Sequence, residues 1–309
     1  MINIKEVILR SEKDIISSWL DKEEIIVSVI CVTFNHEAYI EDAIRSFLMQ
    51  ETDFSFEIIV HDDASTDTTA DIIRSYQKLY PNIVKPIFQS KNQYSKGTFR
   101  VVPYAESFSS GKYIARCEGD DFWCDELKLK KQVEFLDKHS DYVITYADSI
   151  KIGKDGALSG QVGNGVNKDL SKIELMKTQP INTLTACYRN VHLKFPNEFS
   201  ITPIGDLFYW SLLGTYGKGK YLDSIKPSAY RVHDGGVFSS VNSNEKSYMV
   251  IKSIALLYLY YKRIGDQQIS DYFLKELFKR LITKNNALVL FRSLIDKTSF
   301  FLKNKLIRK

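Results

Sequence analysis

The sequence Ile25-Ile-Val-Ser-Val-Ile-Cys-Val-Thr33 is almost continuously apolar and rich in β-branched residues. A strand that is apolar along its whole length is buried on both faces, as in parallel sheets covered by helices. The run ends at Phe34-Asn35-His36, and residues 37–50 then place apolar side chains at helical spacing. A buried strand followed by an amphipathic helix predicts the first unit of an α/β fold.

The same order of elements recurs along the chain. Phe56-Glu-Ile-Ile-Val60 predicts a second buried strand, and a helix over residues 68–80 follows it, with Thr66 or Asp67 as its N-cap. Further strands are predicted at 83–89, 112–117, 141–147 and 183–188, and further helices at 102–109, 126–138, 172–177 and 206–216. This alternation is typical of a doubly wound, mostly parallel sheet with helices on both faces.

The chain divides into three predicted regions. They are an N-terminal extension at 1–24, a catalytic domain at 25–244 and a helical C-terminal region at 245–309. The last region holds 14 Lys/Arg against 5 Asp/Glu, whereas the whole chain has a net charge of only +4. So small a net charge does not predict nucleic-acid binding. The basic region has two interpretations: helices packed on the catalytic domain, or, at residues 291–309, peripheral contact with an anionic bilayer.

Cysteine usage and the N-terminus predict a cytoplasmic protein. The four cysteines, at positions 31, 117, 124 and 187, lack the spacing of metal ligands and are read as reduced thiols. No basic leader precedes an apolar stretch, and no window of about 18 apolar residues predicts a spanning helix. Bilayer contact through residues 291–309 would place the protein at the inner face of the membrane, and this alternative stays open. The glycine-rich residues 151–168 predict a mobile loop that closes over a ligand.

Two acidic clusters follow predicted strands. They are Asp62-Asp63 and Glu118-Gly119-Asp120-Asp121. Because the carboxyl ends of parallel strands meet at one edge of a sheet, we expect both clusters to lie in the same crevice. Carboxylates there suit a divalent cation that bridges the protein to a diphosphate. The alternative is that these residues only cap helices and form solvated turns. Two such clusters after two strands favour the cation site.

Three stretches together resemble glycosyltransferase family 2, an inverting group with the GT-A fold. They are Val27-Ser-Val-Ile-Cys-Val-Thr-Phe-Asn35, Phe56-Glu-Ile-Ile-Val-His-Asp-Asp-Ala-Ser-Thr-Asp-Thr-Thr69 and Ala115-Arg-Cys-Glu-Gly-Asp-Asp-Phe-Trp123. The resemblance spans about residues 25–240 and implies a nucleotide-diphospho-sugar transferase fold. It also implies nucleoside contacts from Thr33, Asn35, Glu37, Asp62 and Asp63, and coordination of Mn²⁺ or Mg²⁺ by Asp120.

The family's DxD motif is altered here. Glu118 stands at its first position, which leaves the role of Glu118 open, and Val32 replaces the usual proline before Thr33. We expect Glu118 and Asp121 to support donor binding.

Two later motifs extend the resemblance. Pro203-Ile-Gly-Asp-Leu-Phe-Tyr-Trp210 places Asp206 where the family supplies its catalytic base, although Asp206 is equally suited to capping a helix. Tyr230-Arg-Val-His-Asp234 resembles a late family segment. The resemblance implies that His233 completes the coordination of the metal or bonds the diphosphate. It also implies that Arg231 offsets the charge of the leaving group. His61 is expected to be structural.

The resemblance implies a metal-dependent enzyme. It would transfer a sugar from a nucleotide-diphosphate sugar, a UDP-sugar by expectation, to a hydroxyl of a glycan or lipid-linked glycan. Inversion at the anomeric carbon and a place in surface polysaccharide biosynthesis are implied as well. A nucleotidyltransferase is the alternative enzyme class, but residues 33–37 lack the expected glycine-rich loop with a basic residue. The other alternative is a non-catalytic nucleotide-sugar binding module, against which Asp120 and Asp206 argue.

Overall fold

The computed structural model describes residues 4–97, 100–161, 165–236 and 241–282. Packing divides the chain into two compact units. The first consists of Met1–Lys194 and Trp210–Ser239, and the second of Phe195–Tyr209 and Ser240–Lys309. The second unit therefore takes in residues ahead of 245, where the sequence places the start of the C-terminal region. The domain boundaries drawn from the sequence stay a prediction.

The described residues of the first unit form ten strands in two sheets. The strands are β1 (Val27–Thr33), β2 (Phe56–Asp62), β3 (Val84–Phe88), β4 (Tyr113–Arg116), β5 (Tyr142–Tyr146), β6 (Ser149–Ile152), β7 (Leu158–Gln161), β8 (Cys187–Arg189), β9 (Lys218–Tyr221) and β10 (Ser228–Arg231). The large sheet has the order β3-β2-β1-β4-β8-β5-β9, and the small one has the order β10-β6-β7. In the large sheet only β8 runs antiparallel to its neighbours. The mostly parallel sheet predicted from the sequence is confirmed.

The central strand β1 is buried as its composition predicts. Its apolar side chains pair in parallel with those of β2, with Val29 opposite Ile58 and Ile30 opposite Ile59. The register ends with Thr33 opposite Asp62, so the two strands finish at the same level. That level is where the polar segments begin, and the sheet thereby sets the position of the site.

Helices cover the sheet. Those of the first unit are α1 (Glu12–Ser17), α2 (Ile40–Leu48), α3 (Thr69–Leu79), α4 (Val101–Glu106), α5 (Lys128–Lys138) and α6 (Lys172–Met176). The apolar stripe of α2 is fully buried at Ile40, Ile44 and Phe47. The Phe47 ring packs on Trp123, with ring centroids 4.7 Å apart. The helix predicted at 68–80 is present as α3, but its N-cap position is Thr68 rather than Thr66 or Asp67.

Two predictions of local structure are wrong in part. The predicted strand at 183–188 begins as a 3-10 turn, Thr183–Thr185, and only Cys187–Arg189 forms β8. The predicted loop at 151–168 contains the β6–β7 hairpin, which turns at Gly156 with a φ of 81°. β7 is exposed at Leu158, Ser159 and Gly160, so it lacks the alternation of buried apolar and exposed polar residues by which a strand is recognised.

The second unit is helical where it is described. It contains α7 (Asn197–Ser200), the first residues of α8 (Gly205–Leu213), α9 (Ser243–Arg263) and α10 (Gln267–Ile282). Gly265, with a φ of 82°, separates α9 from α10, so the helical region predicted at 245–309 is interrupted there. Residues 291–309, for which membrane contact is predicted, lie outside the described residues. None of the helices in the described part of the chain combines the length and apolarity needed to cross a bilayer.

Candidate active site

The two acidic clusters converge on the carboxyl end of β1. The amide of Asp63 donates to the carbonyl of Thr33 over 3.0 Å, and the amide of Gly119 donates to the carbonyl of Val32 over 3.0 Å. Both bonds continue the sheet past the ends of β2 and β4. The crevice predicted from the sequence therefore brings the clusters together around the last residues of one strand.

Gly119 permits this close approach. A Cβ atom at this position would lie 2.6 Å from Thr33 Oγ1 and 2.7 Å from Thr33 Cβ. Such contacts are far inside van der Waals distance, so a side chain would push the acidic cluster away from β1. Thr33 is buried, and among the described residues its hydroxyl has no hydrogen-bond partner.

The loop after β1 is interlocked with the turn after β2. Asn35 Oδ1 accepts a hydrogen bond from the amide of Thr66 (2.8 Å), and Glu37 Oε2 accepts from the amide of Thr68 (3.0 Å). In return, the amide of Asn35 donates to Ser65 Oγ over 2.9 Å. Asn35 has a φ of 53°, a conformation that Asn tolerates better than most residues. Asn35 and Glu37, two residues predicted to contact the nucleoside, thus fix the loop after β1 to the turn after β2; their contact with a nucleoside stays a prediction.

Asp62 and Asp63 are buried and held by different partners. The carboxylate of Asp62 accepts from the hydroxyl and the amide of Ser65, which closes a tight turn. The two oxygens of Asp63 accept from the amides of Gln93 and Tyr94, each over 2.8 Å. Asp63 therefore fixes the loop after β3 against the end of β2. Nucleoside contacts from both residues stay a prediction.

Asp120 lies between two imidazoles. Its Oδ2 is hydrogen-bonded to His233 Nε2 at 2.9 Å and lies 3.9 Å from His36 Nε2. Burial acts to raise the pKa of the Asp120 carboxyl, but the hydrogen bond with His233 and the charges of His36 and His233 outweigh it, so this pKa is lowered. Burial lowers the pKa of the His36 imidazole despite the nearby Asp120 carboxylate.

The neighbouring Asp121 holds the cluster to β10. Its Oδ1 accepts a hydrogen bond from the amide of Arg231 over 2.8 Å. The Arg231 side chain donates to the carbonyl of Asp120 over 3.0 Å and forms a buried ion pair with Asp42 at 2.8 Å. The guanidinium also lies over the Tyr39 ring, 4.7 Å from its centroid. These contacts fix the backbone of the acidic cluster, and contact of Arg231 and Asp121 with the donor stays a prediction.

Glu118 occupies the half-exposed edge of the cluster. Its Oε1 lies 3.8 Å from the Arg116 guanidinium, and its side chain is 30% exposed. It is more exposed than the side chain of Asp120, which is 17% exposed, whereas Asp121 is buried. Its role in donor binding stays a prediction.

The donor set fits a divalent cation. Ligand atoms of His36, Asp120 and His233 all lie within 4.8 Å of one another. One carboxylate oxygen and two imidazole nitrogens suit Mn²⁺ and other first-row divalent ions. When bound, such an ion would neutralise negative charge on a diphosphate. Asp120 and His233, the two ligands expected from the sequence, would hold it.

Asp206 belongs to the second unit. It lies in the first turn of α8 and is half-buried. The segment before it is held to α9, because the amide of Ile204 and the hydroxyl of Thr202 both bond Ser253 Oγ, over 3.2 and 3.0 Å. The ring of Phe208 packs on Tyr260, with centroids 5.6 Å apart. The role of Asp206 as base stays a prediction.

Two residues of the cluster do not stand out in the sequence. His36 follows Asn35 directly, and Tyr39 packs its ring on His233 with centroids 4.8 Å apart. The only local signal for His36 is its position just past a buried strand, next to an expected nucleoside contact. Its proximity to Asp120 depends on residues far apart in the chain, which no spacing rule detects. His61 is fully buried beside Gln89 and Tyr104, as expected of a structural residue.

Comparison with known sequences identifies relatives across most of the chain. The family model described as glycosyl transferase family 2 matches residues 28–192. An uncharacterized protein of Mycobacterium tuberculosis is 32% identical over 225 residues, which cover 72% of this chain and 63% of that protein. The Escherichia coli UDP-Glc:alpha-D-GlcNAc-diphosphoundecaprenol beta-1,3-glucosyltransferase WfaP is 32% identical over 135 residues, covering 44% of this chain and 50% of WfaP. The chain thus spans less than two thirds of these relatives.

Solved structures share the fold. Staphylococcus aureus TarS 1-349 in complex with UDP-GlcNAc superposes with a TM-score of 0.58 at 21% identity, covering 88% of this chain and 80% of that one. The mannosyltransferase PcManGT of Pyrobaculum calidifontis, in complex with GDP-Man and Mn²⁺, superposes with a TM-score of 0.51 at 13% identity, covering 93% and 86%. The fold is the GT-A type expected from the sequence.

Proposed function

Because the chain belongs to glycosyltransferase family 2, we propose that it transfers a sugar from a nucleotide-diphosphate sugar to an acceptor hydroxyl, with inversion at the anomeric carbon. The observation that carries the proposal is the position of Asp120. Its carboxylate lies beside His233 at the carboxyl end of the parallel sheet, next to the Asn35–Glu37 loop. A metal-dependent donor site requires this juxtaposition of a cation ligand and a nucleoside pocket.

The donor we propose is a UDP-sugar. The relatives give the reason: TarS was solved with UDP-GlcNAc, and WfaP is named for UDP-Glc. In the proposed complex, Thr33, Asn35 and Glu37 contact the nucleoside from the loop after β1, and Asp62 and Asp63 contact it from the turn after β2. Glu118, Asp121 and Arg231 support the donor from the acidic cluster. The cation is Mn²⁺ or Mg²⁺, held by Asp120 and His233, and the Mn²⁺ in PcManGT supports this choice.

The catalytic base we propose is Asp206. Inverting transfer needs one group to remove the proton of the acceptor hydroxyl while the nucleotide diphosphate leaves from the opposite face of the sugar. A carboxylate in the first turn of a helix is oriented by the helix end. Asp206 acts as acceptor of that proton, and no covalent intermediate with the protein forms.

The acceptor class we propose is a glycan or a lipid-linked glycan of surface polysaccharide. Relatives named for diphosphoundecaprenol glycan and for teichuronic acid biosynthesis support this choice. An acceptor of this kind sits at a membrane, and the basic C-terminal region, with 14 Lys/Arg against 5 Asp/Glu, is suited to the anionic inner face. We propose a cytoplasmic protein with peripheral contact there.

Release of nucleoside diphosphate from a panel of nucleotide sugars tests the proposal. We expect Mn²⁺-dependent release from one donor class, faster when glycan acceptors are present. Asp206→Asn should retain donor binding and lose transfer, because it keeps the shape of the side chain and removes the base. Transfer at the wild-type rate by Asp206→Asn would eliminate Asp206 as the base. Full activity of Asp120→Ala in excess EDTA would eliminate the metal assignment.

A further inference from the structure

We propose that His36 is a third protein ligand of the divalent cation, so that the protein holds the cation before any nucleotide binds. This inference rests on the proposed function, because it concerns the same donor site. His36 Nε2 faces Asp120 Oδ2 at 3.9 Å, and the ligand atoms of the three residues lie within 4.8 Å of one another. Atoms bound to one ion at about 2.1 Å are separated by about 3 to 4 Å, so the observed spacing needs only a small closure.

A purely structural role does not account for the His36 ring. Among the described residues, its buried Nδ1 has no hydrogen-bond partner. The imidazole therefore does not bridge two protein groups, as a structural histidine in a core usually does. Its ring meets His233 edge-on, with centroids 5.7 Å apart, and the side chain is 14% exposed. The ring is thus directed at the cluster, with access for an ion.

The backbone around His36 is already fixed. Its amide donates to Thr69 Oγ1 over 2.9 Å, and its carbonyl accepts from the amides of Tyr39 and Ile40 over 2.9 and 2.8 Å. These bonds hold the loop to the first turns of α3 and α2. A ligand on a fixed backbone loses little conformational entropy when it binds a cation. The site is thereby preorganised rather than assembled by the nucleotide.

Three protein ligands have a consequence for the order of binding. A cation held by a single carboxylate depends on the diphosphate for most of its affinity, because Mg²⁺ and its relatives otherwise keep their waters. Two imidazoles and a carboxylate bind first-row transition ions without further help, and nitrogen ligands favour Mn²⁺ over Mg²⁺. The cation therefore enters first and prefers Mn²⁺, and His36 joins it to the loop that carries Asn35 and Glu37.

Titration of the full-length, nucleotide-free protein with Mn²⁺, followed through the electron paramagnetic resonance of free Mn²⁺, tests the inference. We expect one Mn²⁺ per chain and displacement only by a large excess of Mg²⁺. His36→Asn should weaken Mn²⁺ binding by roughly tenfold or more, because loss of even an outer-shell partner costs about that much. His192→Asn is the matched control: His192 is exposed, and its φ of 47° is one that Asn tolerates. It should bind Mn²⁺ as the wild type does.

Two results would overturn the inference. One is wild-type Mn²⁺ affinity in His36→Asn, and the other is failure of the wild-type protein to bind Mn²⁺ without nucleotide. Thermal unfolding without metal shows whether His36→Asn folds. If it does not, His36→Gln, whose side chain is close in length to that of His, takes its place. Since no nucleotide is present, failure here leaves the proposed glycosyl transfer standing. Conversely, Mn²⁺ binding without donor turnover would contradict the proposed function and leave the inference on His36 standing.

Discussion

Asp120 and Asp121 are adjacent in the chain, yet their environments move their pKa values in opposite directions. Burial, followed by the charges of Asp120 and Glu118, raises the pKa of Asp121 well above its ordinary value, whereas the pKa of Asp120 is lowered. The structural difference is the partner, since Asp121 faces the amide of Arg231 and Asp120 faces two imidazoles. Neighbouring carboxyls with divergent pKa values are suited to different roles: Asp121 fixes the acidic cluster to β10, and we propose Asp120 as the cation ligand.

Lys128 supplies a prediction on stability and pH. It is fully buried, its ammonium donates to Gln132 Oε1 over 2.7 Å, and it lies over the Trp123 ring at 4.2 Å. Burial lowers its pKa to about 8 in the folded protein, whereas an unfolded Lys titrates near pH 10.4. Between these values the unfolded chain binds more protons than the folded protein. The contribution of Lys128 to the free energy of unfolding therefore increases as pH rises.

Lys128→Met isolates that effect. The free energy of unfolding of the variant minus that of the wild type should fall by about 2 kcal/mol between pH 7.5 and pH 9.5. Urea unfolding of both proteins at each pH measures this difference. The other titrating groups are common to both proteins and cancel in the difference. Lys78→Met, at an exposed position of α3, controls for loss of a surface lysine. A difference between Lys128→Met and wild type that stays constant with pH would contradict the lowered pKa.

At this scale the sequence predicts positions better than contacts. Asp62, Asp63 and Asp120 are predictable because each lies at or shortly after the end of a buried strand, and strand ends are fixed by a local pattern. His36 is not predictable as a cation neighbour, because its partners Asp120 and His233 come from elements far along the chain. The fixing contacts of Arg231 with Asp42 and the Asp120 carbonyl are likewise long-range.

At the scale of elements, the proposed nucleoside site is built on two loops that hold each other. The loop after β1 and the turn after β2 exchange hydrogen bonds: Asn35 bonds Ser65 and Thr66, and Glu37 bonds Thr68. These are mostly side chain-to-backbone bonds, so each loop supplies the groups that the other lacks. The two loops consequently form one structure rather than two independent turns.

Substitutions at Asn35 test this interlock. Asn35→Asp keeps an acceptor for the Thr66 amide and tolerates the φ of 53°. Asn35→Ala loses the acceptor and also strains the backbone, which together should cost about 1 to 3 kcal/mol. Asn35→Gly loses the acceptor without strain and should fall between them. Urea unfolding measures the order, and an Ala variant as stable as the Asp variant would exclude the interlock as a source of stability.

The position of a strand is predictable from sequence when burial along its whole length requires a continuous run of apolar residues. β1 and β2 are buried along their length, and both match their predicted positions to within a few residues. β8 has only three residues and runs antiparallel. It is buried at Cys187 and Tyr188 but is too short to define its own limits, so the strand predicted at 183–188 overlaps it only at these two residues. β7 is exposed at residues 158–160 and lacks an apolar run, so the sequence pattern there predicts a loop.

At the scale of the whole molecule, charge is distributed unevenly. The chain carries a net charge of +4, but residues 245–309 alone hold 14 Lys/Arg against 5 Asp/Glu. The rest of the chain is therefore acidic on balance. A strongly basic segment in a chain that is otherwise acidic on balance is suited to contact with an anionic surface.

Flotation with vesicles tests this distribution of charge. The full-length protein should float with vesicles containing anionic lipid at low salt and not with neutral vesicles, because each basic residue near the surface contributes about 1 kcal/mol. Replacing Lys303, Lys305 and Lys309 with Gln should reduce flotation strongly. The same change at the exposed Lys22, Lys78 and Lys172 is the control and should have little effect. Equal flotation of both triple variants would argue against attachment through the tail.

The central claim is that a cation at Asp120 joins the protein to a nucleotide-diphosphate sugar. Calorimetric titration of a UDP-sugar into the wild-type protein and Asp120→Asn, with Mn²⁺ and with EDTA, tests it most directly. We expect donor binding to the wild type with Mn²⁺, and a loss of roughly tenfold or more in affinity both with EDTA and in Asp120→Asn. Donor binding of equal affinity in all these conditions would contradict the claim.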